Sequence, residues 1–154
     1  MTIPPAILLR PAGRSDAADL LAWRNDPVTR RNSRNTGAVE PAGHAAWLER
    51  ALADANRRLW IAERGGETLG TVSATLGGDG AVELSLTVAP AMRGRGAGAG
   101  MIRAALVEVA AAWPGAVVRA TVRAENAASR RLFERCGFVA TGEGGGFLAY
   151  RYTG

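Results

Sequence analysis

The 154 residues are 47% apolar, with one cysteine, one histidine and a formal net charge of +5 that comes from nineteen arginines and no lysine. That length suits one well-buried core, and the single cysteine, Cys136, excludes an intramolecular disulfide and makes no metal cluster with the lone His44. No apolar run approaches the ~20 residues of a membrane span, the start Met1-Thr2-Ile3-Pro4-Pro5 lacks a signal-type apolar block, and the arginines are scattered; a single cytoplasmic domain binding an anionic small molecule, with no nucleic acid or membrane partner, is expected.

Ala6-Ile7-Leu8-Leu9-Arg10 reads as a first strand, closed by Pro11-Ala12-Gly13. Ser15 offers an N-cap, Asp16 and Asp19 fall where the helix dipole favours them, and Ala17, Leu20 and Leu21 make an apolar face up to Trp23. The helix should stop before Pro27, which cannot donate a hydrogen bond and restricts the residue ahead of it. From Asn25 to Glu40 the chain reads as a polar, irregular connector, with Arg30, Arg31 and Arg34 concentrated close to Arg24. Pro41 then opens a second helix in which His44, Trp47, Leu48 and Ala51 fall at i, i+3, i+4 and i+7, with His44 at the lip of the apolar stripe.

Leu59 to Glu63, Thr68 to Thr75 and Ala81 to Val88 read as three strands joined by glycine turns, an antiparallel meander. Met101, Ile102, Ala105, Leu106, Val109 and Trp113 recur at helical spacing, so a helix runs from about Gly98 to Trp113 until Pro114-Gly115 breaks it. Ala116 to Val122 supplies another strand, placed by a right-handed crossover beside a parallel neighbour. Asn126 caps a last helix in which Ser129, Leu132, Phe133 and Cys136 share a face, and Gly137 sits where a left-handed C-terminal residue belongs. Phe138 to Thr141 and Phe147 to Tyr152 finish as a hairpin.

The chemistry concentrates between the third strand of the meander and the helix after it, at Met92-Arg93-Gly94-Arg95-Gly96-Ala97-Gly98. Glycines let backbone N–H groups approach a ligand, and the following helix start adds partial positive charge, which together make an anion cradle. A phosphate-binding loop ending in Gly-Lys-Ser/Thr is excluded, because the chain has no lysine. A dinucleotide fingerprint fits less well, since Ala99 stands at its third glycine's place and the stretch lies past mid-chain, after an antiparallel hairpin and not in a first βαβ unit. The pattern that fits is Arg-x-x-Gly-x-Gly, filled by Arg93, Gly96 and Gly98.

Taken with the stretch Val122 to Phe138, this loop resembles that of the GNAT superfamily of acyl-CoA N-acyltransferases, and the order of elements fits along nearly the whole chain. The resemblance implies an α/β (α+β) fold: a mixed, mostly antiparallel seven-stranded sheet splayed at the cofactor site and flanked by four helices. It implies acetyl-CoA as donor, with its pyrophosphate on the amides of Arg93, Gly94, Arg95, Gly96, Ala97 and Gly98, and its pantetheine beside Leu86, Thr87 and Val88. Asn126, Ser129 and Phe133 would line the cofactor's arm. Direct attack of an amine on the thioester is implied, with Glu83 as base and Ser85 two residues along on the same strand face. Phe133 stands where many members carry a proton-donating tyrosine, and Tyr150 and Tyr152 are substitutes for which packing roles are the simpler reading.

The N-terminal third, with Trp23-Arg24-Asn25-Asp26, Arg30, Ser33, His44 and Trp47-Leu48, is similar to acetyltransferases acting on nucleotide-linked amino sugars, including the pseudaminic acid pathway enzyme. That similarity implies Arg24, Arg30 and His44 as acceptor-binding residues and a small anionic amine as acceptor. Protein N-terminal or antibiotic acetylation is the alternative, and a catalytically degenerate acyl-CoA-binding module is the alternative of another class. A homodimer is compatible with the resemblance.

Overall fold

The computed structural model describes residues 5–154. Its elements are β1 (Ile7–Pro11), α1 (Ala17–Asn25), α2 (Pro27–Asn32), α3 (Pro41–Ala53), β2 (Arg57–Arg64), β3 (Glu67–Leu76), β4 (Val82–Val88), α4 (Ala97–Ala112), β5 (Val118–Arg123), α5 (Ala127–Arg135), β6 (Phe138–Gly144) and β7 (Phe147–Tyr152). The strands form one seven-stranded sheet in the order β1-β2-β3-β4-β5-β7-β6, antiparallel throughout except for the β4–β5 pair. Four of the helices are long, α1, α3, α4 and α5, so the mixed sheet and helix count that the resemblance implies are both present.

Alternation along the strands divides the core in two. Trp60, Val72, Ala74, Val82, Leu84, Ala120 and Val122 face α4 and α5, where Met101, Ile102, Ala105 and Phe133 meet them, while Leu59 and Ile61 face the other way, onto Leu20, Trp23 and Leu48 of α1 and α3. Each of these large side chains contributes roughly 1.5–3 kcal/mol on burial. The second layer is the smaller one, and α1 and α3 are held over the sheet by few residues, among which Trp23 and Trp47 are the largest.

Two local expectations are corrected. Ser15 does not cap α1: a 3-10 turn from Arg14 to Asp16 precedes the helix. Asp16 instead faces inward, accepting two bonds from the Arg10 guanidinium (2.9 and 2.8 Å) and one from Gly13 N (2.8 Å). The Arg10 hydrogen bonds hold the Asp16 carboxyl below the usual carboxylate range against the opposing effect of burial. The segment after Asn25 is not wholly irregular either. Asp26 accepts from the backbone N–H of Val28 and Thr29 with Pro27 at the first helical position, a capping pair that nucleates the short helix α2.

What positions the site is the divergence of β4 from β5. They pair only at Val82↔Val118 and Glu83↔Arg119, whereas β4 stays paired with β3 as far as Gly70↔Val88. Beyond Glu83 the backbone groups of β4 on the β5 side are therefore left open to a ligand.

Candidate active site

Two cavities meet at this divergence. The larger, of about 950 Å³, runs between β4 and β5 from Glu83 to the glycine loop and is closed on its far side by α5. The smaller, of about 400 Å³, lies between the sheet and helices α1 and α3, walled by Leu20, Trp23, Trp47 and Leu59 and floored by Thr71, Ser73, Ser85 and Thr87. Arg24, Ser85, Leu86 and Thr87 line both. A donor in the first and an acceptor in the second would face each other at Ser85.

The glycine loop is built as the sequence suggests. Gly94 and Gly96 have φ of +76° and +74°, and Gly96 caps α4, whose first residues carry small side chains. A Cβ at either glycine would meet nothing within 4 Å, so the backbone is exposed to the cleft and not spent on internal packing. Gly98 does something else: a Cβ there would fall 2.7 Å from Leu132 Cδ2, so this glycine lets α4 approach α5. Gly94, Gly96, Ala97 and Gly98 all line the larger cavity, with Leu86, Thr87 and Val88 along its strand wall. An open strand edge, uncovered amides at a helix start and surrounding guanidiniums fit a long thiol cofactor bearing a pyrophosphate.

The two arginines of the loop differ. Arg93 lines the cavity but its Nη2 donates to Asp26 Oδ2 (2.6 Å) and Thr29 Oγ1 (3.2 Å), tying the loop to the start of α2. That guanidinium, with the Thr29 and Val28 amides, holds the Asp26 carboxyl below its ordinary range. Arg95 is exposed and lines neither cavity.

Asn126 and Ser129 line the cleft and bond to one another, Asn126 Oδ1 accepting from Ser129 N (3.2 Å) and Nδ2 donating to Ser129 Oγ (3.0 Å). Phe133 lines the same cleft from behind, 3% exposed, edge-on to Phe138 and stacked on Tyr150. Tyr150 is buried, and its hydroxyl donates to Glu134 Oε2 (2.7 Å); no tyrosine lines either cavity among the described residues. Burial first, and Glu134 second, push the Tyr150 pKa up. Glu83 lines the larger cavity and stays exposed, with Ser85 on its face of the strand.

Of the three acceptor residues expected, two reach a cavity. Arg24 stands at the junction; its Nη2 donates to the Asn35 carbonyl (2.7 Å), and its Nη1 is buried without a partner. His44 is 5% exposed in the wall of the smaller chamber, its pKa lowered chiefly by burial and secondarily by the Arg24 charge, so the ring is neutral at pH 7. Arg30 lines neither cavity, and its Nε donates to the Thr36 carbonyl (3.1 Å). The crowded arginines thus have a structural use that composition did not disclose: Arg24, Arg30 and Arg123 each take a carbonyl of the segment Ser33 to Thr36 and pin it across the cleft.

Sequence reasoning gave no role of their own to Arg123, Phe147 and Asn25. The period-2 alternation of Arg119, Thr121 and Arg123 opposite Val118, Ala120 and Val122 was a signal for the first. Phe147 is its cross-strand partner, a pairing only the β5–β7 register reveals. Asn25 fixes the approach to α3 by donating to the Val39 carbonyl (2.9 Å) and accepting from its N–H (2.7 Å).

A family model described as an acetyltransferase (GNAT) domain matches residues 6–139. The L-methionine sulfoximine/L-methionine sulfone acetyltransferase of Pseudomonas aeruginosa is 33% identical over 141 residues, covering 88% of this chain and 81% of that one. Among solved structures, spermidine N-acetyltransferase from Vibrio cholerae in complex with CoA and spermine superposes with a TM-score of 0.82 at 19% identity, over 94% of this chain and 92% of that one. YncA of Salmonella typhimurium, with its cofactor acetyl-CoA, superposes with a TM-score of 0.73 at 25% identity, over 95% and 92%.

Proposed function

The chain belongs to the GNAT acetyltransferases and is an N-acetyltransferase whose donor is acetyl-CoA, and we propose that its acceptor is the primary amine of a small anionic metabolite, of the size of an amino acid. One observation carries this reading: the buried, unpartnered Nη1 of Arg24 at the junction of the two cavities. A buried guanidinium N–H without a partner costs free energy, and an acceptor carboxylate supplies the missing acceptor oxygen by a charge-assisted bond. No carboxylate among the described residues lines the smaller chamber, which offers nothing to balance a polyamine or other polycation. Its apolar walls and a volume of about 400 Å³ suit a short side chain, in keeping with the amino-acid derivatives named for the Pseudomonas relative. A nucleotide-linked amino sugar is the second reading, favoured by Arg34 and Arg123 in the larger cavity.

Acetyl-CoA supplies the activated thioester carbonyl. The open backbone of β4 from Leu86 to Val88 and the amides from Arg93 to Gly98 hold the donor, with Asn126 and Ser129 across the cleft; Ser85, common to both cavities, is placed at the amine. The amine lone pair forms the new C–N bond as the C–S bond breaks. Ser85 passes the amine's proton toward Glu83 on the same strand face, and Trp23, Trp47 and Leu59 keep bulk water from the chamber. Phe133 has no proton to give, so the departing thiolate takes one from water. His44, neutral, packs at the chamber wall with its ring against Trp47 (5.3 Å between centroids) and orients the acceptor beside Arg24.

Arg24→Ala tests the reading. The expected result is a rise in the acceptor KM of about 10-fold or more, the value of a charge-assisted bond, with the acetyl-CoA KM nearly unchanged. Equal effects on both constants would contradict a dedicated acceptor role.

A further inference from the structure

The larger cavity holds more positive charge than the donor loop accounts for. Arg24, Arg34, Arg93, Arg123, Arg131 and Arg135 line it, against Glu83 as the one carboxylate among its lining residues. Arg93 is neutralised by Asp26, but neither Arg34 nor Arg123 pairs with a carboxylate among the described residues; the ion pairs found are those of Arg10, Arg14, Arg93 and Arg119.

These two cations converge on one ring. Arg34 Cζ lies 4.9 Å and Arg123 Cζ 4.7 Å from the centroid of Phe147. Arg123 Nη2 is held by the Ser33 carbonyl (2.7 Å), the residue next to Arg34, while its Nε is buried with no partner. A ring face stabilises a guanidinium only weakly and does not cancel its charge, so two like charges on one ring invite a counter-ion. The parallel pair Glu83↔Arg119 puts Arg123, four residues on, on the sheet face that carries Glu83, Ser85 and Thr87, the face over which the acceptor chamber lies.

We infer that Arg34 and Arg123, packed on Phe147, form a second anion-binding position, separate from Arg24, that takes a phosphate- or carboxylate-class oxyanion. The acceptor's second acid group, reaching past Ser85 out of the smaller chamber, is the source we assign, because Arg123 shares the sheet face of Ser85; the assignment rests on the proposed function, and a phosphate of the donor, whose cavity both arginines line, is the other source of the same chemistry. The acceptor is then a dianionic amine, one acid group on Arg24 and one on the Arg34–Arg123 pair.

Inorganic phosphate is the probe, titrated calorimetrically into the full chain with and without saturating coenzyme A. Wild type should bind phosphate with coenzyme A present, and Arg34→Gln and Arg123→Gln should each weaken it by about 10-fold or more. Arg119→Gln, a cation outside both cavities and paired with Asp79, should leave it unchanged. Phosphate bound only without coenzyme A, with the same dependence on Arg34 and Arg123, would keep the site and overturn its assignment to the acceptor. Equal affinity in wild type and both variants under both conditions would overturn the site itself. If Arg123→Gln fails to fold on losing the Ser33 bond, Arg34→Gln still decides. No acceptor or turnover enters the measurement, so a failure of the proposed acetylation is read separately from a failure of this site.

Discussion

Replacing Gly70 by alanine should damage both stability and donor binding, because this glycine sets the shape of the strand wall along the cleft. Ala62 pairs with Gly70 and Glu63 with Thr68, so Leu69 is the extra residue of a β-bulge opposite the end of β4. Gly70 adopts φ +149°, and a Cβ there would lie 3.0 Å from both Ala89 N and Val88 Cα and closer still to the Thr87 carbonyl oxygen. Restoring ordinary contact at ~3.5 Å would move β3 and β4 apart by about half an ångström at these two atoms and by more than about an ångström at the carbonyl oxygen. The strained backbone costs about 1–3 kcal/mol and the crowding about as much again, so roughly 2–6 kcal/mol out of a usual 5–15. At about 2–4 °C per kcal/mol the Tm should fall by roughly 4–24 °C. Thr87 and Val88 line the donor cleft, so the calorimetric Kd for acetyl-CoA should rise as well. Gly66→Ala is the comparison: φ is +84° there, but a Cβ meets nothing within 4 Å, and only the conformational cost should show. A Gly70→Ala protein with the Tm and Kd of Gly66→Ala would refute the argument.

Gly96→Val should weaken acetyl-CoA binding by about tenfold or more while lowering Tm by only a few degrees, since φ of +74° costs a side chain about 1–2 kcal/mol and a Cβ there meets nothing within 4 Å; unchanged calorimetric affinity would remove the cradle. Asp16→Asn should lower Tm at pH 7 and flatten the acid side of the stability curve. The folded Asp16 carboxyl titrates below its unfolded value of about 3.9, so its contribution is complete above that pH and is lost as pH falls through the folded pKa. Melting curves from pH 7 to pH 2 check the sign, and parallel curves for wild type and variant would contradict it. With the Arg10 side chain 42% exposed, the effect at pH 7 should stay near 1–2 kcal/mol.

Elements with their own local cause were legible in the sequence. The meander was readable because each strand alternates and each turn carries glycine, and α5 because Asn126 caps it and Gly137 ends it at φ +94°. The loop was readable because glycine with positive φ has few substitutes. What escaped depends on contacts between distant segments. Asp26-Pro27 carried the capping signal for α2, but the polar residues after it suggested a connector. The tie from Arg93 to Asp26 spans 67 residues, and that from Arg123 to Ser33 spans 90, so no local pattern could say that these arginines serve a carbonyl or a carboxylate of the chain itself. Arg30 was misplaced for the same reason: charge density marks where cations are, and only the fold decides which of them face a cavity. The burial of His44 was half visible, its helical spacing placing it at the stripe's edge while the closed chamber came from the packing of α3 on β2.

The acceptor decides the central claim. The purified protein would be given acetyl-CoA and an equimolar mixture of amines, with release of coenzyme A thiol followed and the acetylated product identified by mass spectrometry. The mixture would hold a neutral primary amine, an α-amino acid, a dianionic amino acid, a nucleotide-linked amino sugar, spermidine and a peptide with a free N-terminus. Acetylation confined to the anionic small amines, fastest where two acid groups are present, is the predicted result. Preferential acetylation of spermidine or of the peptide would contradict it, since no carboxylate among the described residues lines the chamber beside Arg24 to receive a polycation, and its volume of about 400 Å³ suits a small amine.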